Sequence, residues 1–151
     1  MKKILVLFAT QGLFLVLLFF LFTANEEKKD FTIELRIGNA TLSTEVASTQ
    51  AARTKGLSGR AELSPADGML FIFDKPDTYG FWMKGMNFPI DIIWIGEGKK
   101  VVSIKENALP ESFPKTFYPS EKVLYVLETN AGFVREQEIS LGNIAEFSFS
   151  Q

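Results

Sequence analysis

Two residue types are missing altogether: the 151-residue chain contains no cysteine and no histidine. Without cysteine there is no disulfide, no thiol nucleophile and no lipoprotein-type processing. Without histidine, Ser-His-Asp and Cys-His catalysis are excluded, as is an imidazole base poised near neutral pH. The two absences together remove the usual zinc ligands. Any chemistry falls to carboxylates, lysine, tyrosine, hydroxyls or an oxygen-ligated ion. The turn acids Asp67, Asp74 and Asp77 lack the alternate spacing and terminal glutamate of a calcium loop. The sequence therefore points to no metal and no cofactor.

Long apolar runs are absent too, with one exception at the start. After Met1-Lys2-Lys3, the segment Ile4 to Phe22 is broken only by Thr10, Gln11 and Gly12. At ~1.5 Å per residue it covers about 29 Å, close to the ~30 Å hydrocarbon core. A cleaved signal peptide has a shorter apolar region and a small-x-small site. The site available here follows Ala24 and places Phe22 at its −3 position, which favours an uncleaved signal anchor. On either reading Lys2 and Lys3 keep the N-terminus inside. Residues 1–24 are thus expected to be anchor or signal peptide, 25–30 a charged linker, and 31–151 one extracytoplasmic domain. That domain is expected either at the cell membrane on a single span, or secreted or periplasmic after cleavage near Ala24.

Positive charge is scarce beyond the first three residues. Setting Lys2 and Lys3 aside leaves 14 basic residues against all 18 acids, a net charge of −4. A partner such as nucleic acid would need a basic footprint, so none is expected. The expected partners are the membrane, through the N-terminal helix, and an envelope ligand or protein.

What is present reads as short strands. "FTIELRI" alternates, with Phe31, Ile33, Leu35 and Ile37 on one face. Gly38-Asn39 is a tight-turn signal and "ATLSTEVA" returns as the partner strand. Ser48 or Thr49 can cap a helix of about two turns that stops at Gly56. "GMLFIF" reads as a strand buried on both faces. "FWMK", "IDIIWI", "VVSIKE", "VLYVLE" and a final pair around "REQEISLGNIAEFSF" follow, separated by turns and the proline-rich loop "NALPESFPKTFYPSE". Seven or eight strands with one early helix predict a mainly β (α+β) domain, a curved antiparallel sheet or small β-barrel.

Pleat arithmetic then isolates the polar residues that do not belong in such strands. Asp91 shares its face with Ile93 and Ile95, and Glu128 shares its face with Leu124 and Val126. Each carboxylate must be paired or hydrogen-bonded if buried. The expectation is that Asp91 ties down the "KGMNFP" loop through backbone N–H groups and that Glu128 forms half of an internal ion pair. Arg60 could supply a bidentate fork. Trp82 and Lys84 share a face, placing an ammonium beside an indole as in the wall of a small-ligand site. The ligand-binding candidates are therefore Arg60, Trp82, Lys84, Asp91 and Glu128.

The ordered set "RTKGLSGR", "DGMLFIF", "FWMKGMNFPIDIIWI", "VLYVLETNAG" and "LGN" resembles the domain of unknown function 192 family over about Leu42 to Phe149. The resemblance implies one compact, mostly β domain, often exported, with no established activity. Arg60, Trp82, Lys84, Pro89, Asp91 and Glu128 match its pattern. Three positions depart from it: Ser58 where the family usually has Met, Gly85 where it has Asn, and Asn143 where it has Asp.

Three roles compete. The leading expectation is a module binding a small molecule, glycan or peptide beside Trp82, Lys84 and Asp91. A cell-envelope hydrolase would instead use Asp91 and Glu128, with Arg60 or Lys84 stabilising developing charge. An interaction module would dock a partner on a free edge or the loop Pro110 to Pro119. The topology is directly testable. A tag after Gln151 is expected to be digested by protease added to intact spheroplasts, and protection of the tag would reverse the orientation.

Overall fold

The structure, a computed structural model, describes residues 32–149. The expected signal anchor and the whole of the linker, residues 25–30, lie outside those residues. Among the described residues no helix is long and apolar enough to cross a membrane.

The chain begins with the alternating strands β1 (Thr32–Ile37) and β2 (Ala40–Ala47), joined through Gly38 in the left-handed region at φ 56. Helix α1 (Gln50–Lys55) starts where the Thr49 side chain accepts the Ala52 N–H at 3.2 Å, and it stops at Gly56, φ 48. Both caps follow from residue chemistry: a short hydroxyl side chain at the start and a residue without Cβ at the end. Next come β3 (Asp67–Asp77), β4 (Phe81–Trp82), β5 (Ile90–Ile95) and β6 (Val101–Ala108). A 3₁₀ turn (Pro110–Ser112) leads to β7 (Thr116–Phe117), β8 (Val123–Asn130), helix α2 (Phe133–Glu136) and β9 (Ala145–Phe147).

Seven strands form one sheet in the order β6-β5-β8-β3-β2-β1-β9, while β4 and β7 pair as a separate ribbon. The sheet is mixed, not antiparallel throughout, because β2 and β3 run parallel. The cause is the connection. A hairpin needs only two residues, whereas the segment through α1 is long enough to cross over and return in the same direction. The C-terminal region also differs from the expected strand pair. Phe133 and Val134 turn inward on α2, and β9 pairs with β1 from the other end of the chain.

The sheet curls into a half-barrel whose two outer strands touch at one end. Lys100 and Ile144 form a bridge, supported by Val101 N–H to Asn143 O at 2.9 Å and Ala145 N–H to Lys99 O at 2.8 Å. One apolar cluster draws on both of these strands and on those between them, including Leu35, Leu70, Ile93, Val101, Leu127 and Ala145, and so fills the inside of the curl. Helix α2 closes it with Phe133 and Val134. A second cluster lies on the outer face: Phe71, Ile90, Ile92, Trp94 and Val126, roofed by α1, the β4–β7 ribbon and the loops beside them. The alternation of Ile90, Ile92 and Trp94 against Ile93 and Ile95 thus holds, with each set in its own core.

Asp91 belongs to the inner set and is fully buried. Its Oδ1 accepts the Asn107 N–H at 2.8 Å, and its Oδ2 accepts the Val134 N–H at 2.9 Å. Both donors need it. The β5–β6 register slips between Ile90 and Ile92, opposite Asn107, which turns left-handed at φ 47. Val134 sits in the first turn of α2, where backbone N–H groups have no intrahelical acceptor and Gly132 offers no capping side chain. Asp91 therefore fastens β6 and α2, rather than the "KGMNFP" loop. Asp91→Asn would point an N–H₂ at one of two N–H donors and is expected to cost about 1–3 kcal/mol, several degrees of melting temperature. Thermal denaturation reads this directly, and an unchanged melting temperature would refute the clamp.

Candidate functional site: an outer-face cleft above Glu128

The outer face is shaped by two loops held against each other. Gly59 N–H donates to Gly85 O at 2.8 Å, Ser58 Oγ to Lys84 O at 2.7 Å, and Asn87 Nδ2 to Arg60 O at 2.7 Å. Arg60 then pins the first loop to the sheet. Its Nη1 and Nη2 reach Glu45 Oε1 and Oε2 at 2.5 and 2.6 Å, a bidentate fork that holds the Glu45 carboxyl below its ordinary range.

Cross-strand register places Glu45 opposite Met69, Met69 opposite Glu128, and Glu128 opposite Ile92. Glu45 and Glu128 thus stand in one row on the outer face with Met69 between them. Glu128 is buried, and desolvation raises its carboxyl from 4.5 to about 8, with the Arg60 charge opposing the rise. At neutral pH it is a carboxylic acid, able to donate a hydrogen bond.

Glu128 opens onto a cleft of about 620 Å³ between α1 and the β3–β4 segment. Phe71, Phe73, Tyr79, Phe81, Trp82 and Met86 supply its apolar walls. Phe73 stacks on Tyr79 with centroids 3.5 Å apart, and Phe81 stands edge-on to Phe71 at 4.9 Å. Trp82 is 53% exposed at the margin, with Lys84 Nζ 5.7 Å from its ring.

Comparison with known proteins fits this architecture to a family. The model for DUF192, described as "Uncharacterized ACR", matches residues 33–147. This chain belongs to the domain of unknown function 192 family. A crystal structure of a protein of unknown function from Novosphingobium aromaticivorans is similar at TM-score 0.73 and 31% identity, covering 76% of this chain and 84% of that one. A Sinorhizobium meliloti protein, proposed to be a transcription regulator, is similar at TM-score 0.74 and 32% identity, covering 78% and 95%. No curated protein matches.

Within this DUF192 domain the candidates divide. Trp82 and Glu128 line the cleft, Lys84 stands beside Trp82 at its margin, and Arg60 buttresses it through Glu45. Asp91 does not join them. It lies opposite Thr129 while Ile92 lies opposite Glu128, so the two carboxylates project from opposite faces of the sheet. They cannot act as an acid/base pair on one substrate. The ion pair expected at Glu128 forms at Glu45 instead: the guanidinium fork is there, and Arg60 reaches Glu128 as a charge that only partly offsets its desolvation. Sequence reasoning missed Glu45, although its alternation with Ala47 put it on a sheet face and Arg60 required a carboxylate. It also passed over Arg53, Phe73 and Phe81 as wall residues, which become neighbours only through tertiary packing.

Two of the three departures from the family pattern have a backbone explanation. Gly85 is left-handed, φ 67, a conformation that Asn also tolerates, so the exchange preserves the turn. Asn143 Oδ1 accepts the Ser140 N–H at 2.7 Å, a role an Asp oxygen fills equally. Ser58 differs, since it lines the cleft, where a methionine would occupy part of the space.

The state of Glu128 has a stability signature. Between pH 4.5 and about 8 the folded protein keeps a proton that the unfolded chain releases, so stability falls as pH rises through this window. At pH 7 the cost is on the order of 3 kcal/mol. Glu128→Gln removes the titration and keeps the volume. It is expected to raise the melting temperature at pH 8 and to lose most of that advantage near pH 5, in paired thermal melts. Parallel melting curves across that range would show that Glu128 is ionised in the fold.

Proposed function

We propose that this domain is a binding module for a small ligand with an apolar body, held in the outer-face cleft with Glu128 as hydrogen-bond donor. The observation that carries the reading is the buried Glu128 side chain in the lining of an aromatic-walled cleft, where desolvation disfavours its charged form. Ligand sites fall in the range of about 300–1,000 Å³ and combine apolar walls with a few converging polar groups. A carboxyl held neutral by burial is also a mark of functional sites. Glu128 offers such a ligand one directed bond, and Trp82 offers a broad amphipathic surface at the entrance.

A second reading draws on the ribbon beside the entrance. Trp82 and Phe113 stand 6.1 Å apart, and with Tyr118 and Leu109 they leave large apolar side chains in solvent. A peptide segment of an envelope partner fits such a surface, with its end reaching the cleft.

Ser58→Met distinguishes the cleft from the ribbon, because it fills the former while the exposed Trp82, Phe113 and Tyr118 of the latter are kept. Bicyclic aromatic compounds such as 2-naphthol are expected to raise the melting temperature of the parent protein and to lose at least most of that effect in the variant. Equal shifts in both proteins would place binding outside the cleft.

A further inference from the structure

The charge around the cleft is one-sided in a domain whose acids outnumber its bases. Arg53 forms part of the wall, its side chain only 17% exposed. Its Nη1 donates to Ser48 O and to Ile72 O, each at 2.7 Å, and its guanidinium lies 5.2 Å from the Phe73 ring centroid. These contacts fix the position of the cation without neutralising it. The acid facing it is Asp74, at 4.0 Å and 94% exposed, where solvent screens most of the attraction. Lys55 and Lys75 line the same cleft, and Lys84 stands at the margin beside Trp82. The remaining acid of the lining, Glu128, is protonated at neutral pH and adds no negative charge. The result is an apolar trough bordered by positive charge, with a preorganised guanidinium in its wall.

We infer that the cleft selects an anion with an apolar, preferably aromatic, body, its carboxylate or sulfonate directed to the Arg53 side and its rings between the aromatic walls. The inference rests on the small-ligand reading above and adds the charge of the ligand to it. The fixed guanidinium costs no reorganisation on binding, and its neighbours Phe73 and Tyr79 present flat surface beside it. A cationic ligand of the same shape meets Arg53, Lys55 and Lys75, with Lys84 at the margin, against the exposed Asp74 and the Asp77 charge that reaches Tyr79. A neutral isostere keeps the apolar contacts and gains nothing from the charges.

The test uses three probes of nearly equal shape, 2-naphthoate, 2-naphthamide and 2-naphthylmethylamine, titrated into the full chain by calorimetry at neutral pH. The expected order is acid, then amide, then amine, with the acid at least ten-fold tighter than the amide. Arg53→Gln is expected to bring acid and amide to within about two-fold of each other through loss of acid binding alone, since it removes one full charge of the ion pair. Because Arg53 also holds two backbone carbonyls, the exposed pair Lys55→Glu and Lys75→Glu serves as a second variant that spares the fold. It too is expected to lower the acid-to-amide ratio several-fold. Amide or amine binding as tightly as the acid in the parent protein, or a ratio unmoved in the folded variants, overturns the anion preference and leaves the cleft reading standing. Failure of all three probes to bind overturns both.

Discussion

The outer face of this domain hangs on one guanidinium. Arg60 grips both oxygens of Glu45 on β2, and its carbonyl receives Asn87 from the loop ahead of β5. One residue thus ties together the loop after α1, a central strand of the sheet and the turn that precedes the most buried strand. The same loop holds the roof of the cleft, where Ser58 Oγ donates to Lys84 O and Gly59 N–H to Gly85 O. The same charge acts on two acids in one row and leaves them in opposite states. Glu45, directly forked, stays ionised. Glu128 feels Arg60 as a charge that only partly offsets its desolvation, and it keeps its proton.

Asp91 and Glu128 show how little residue type says about role. Each is a carboxyl on a central strand, alternating with large apolar side chains and almost inaccessible to solvent. Asp91 meets two backbone N–H groups that no other element satisfies, so its oxygens become part of the framework. Glu128 stands between Met69 and Ile92 and is part of the cleft lining. The sheet between them separates a structural carboxyl from one available to a ligand. That division between faces keeps Asp91 and Glu128 from acting together on one substrate.

Much of the fold was legible because it depends on local periodicity. The alternation of "TIELRI", the caps at Thr49 and Gly56 and the two-sided burial of "GMLFIF" need no knowledge of distant neighbours. Even the partition of Ile90, Ile92 and Trp94 from Ile93 and Ile95 follows from the pleat. What was not legible depends on which strands meet. The parallel β2–β3 pairing, the opposite facing of Asp91 and Glu128, and the choice of Glu45 over Glu128 by Arg60 are all set by cross-strand register. The stretch from Arg135 misled for a related reason: its first residues close the short helix Phe133–Glu136, whose Val134 N–H finds its acceptor on Asp91 from a distant strand. The cleft itself is assembled from β3, β4, α1 and β8, and no single stretch of sequence announces it.

Strand β1 is flanked by β2 on one side and β9 on the other, so the first described strand is completed by the last. The inner core receives Ala145 and Phe147 from that final strand, and the contact between the two outer strands forms there as well. While the chain is still being synthesised, β1 can find β2 at once through a two-residue turn, but its other edge must wait for residues added at the very end. During that interval an unpaired backbone edge is open to any extended segment nearby. The order in which the chain emerges therefore makes closure of the half-barrel a late event that protects the strand formed first.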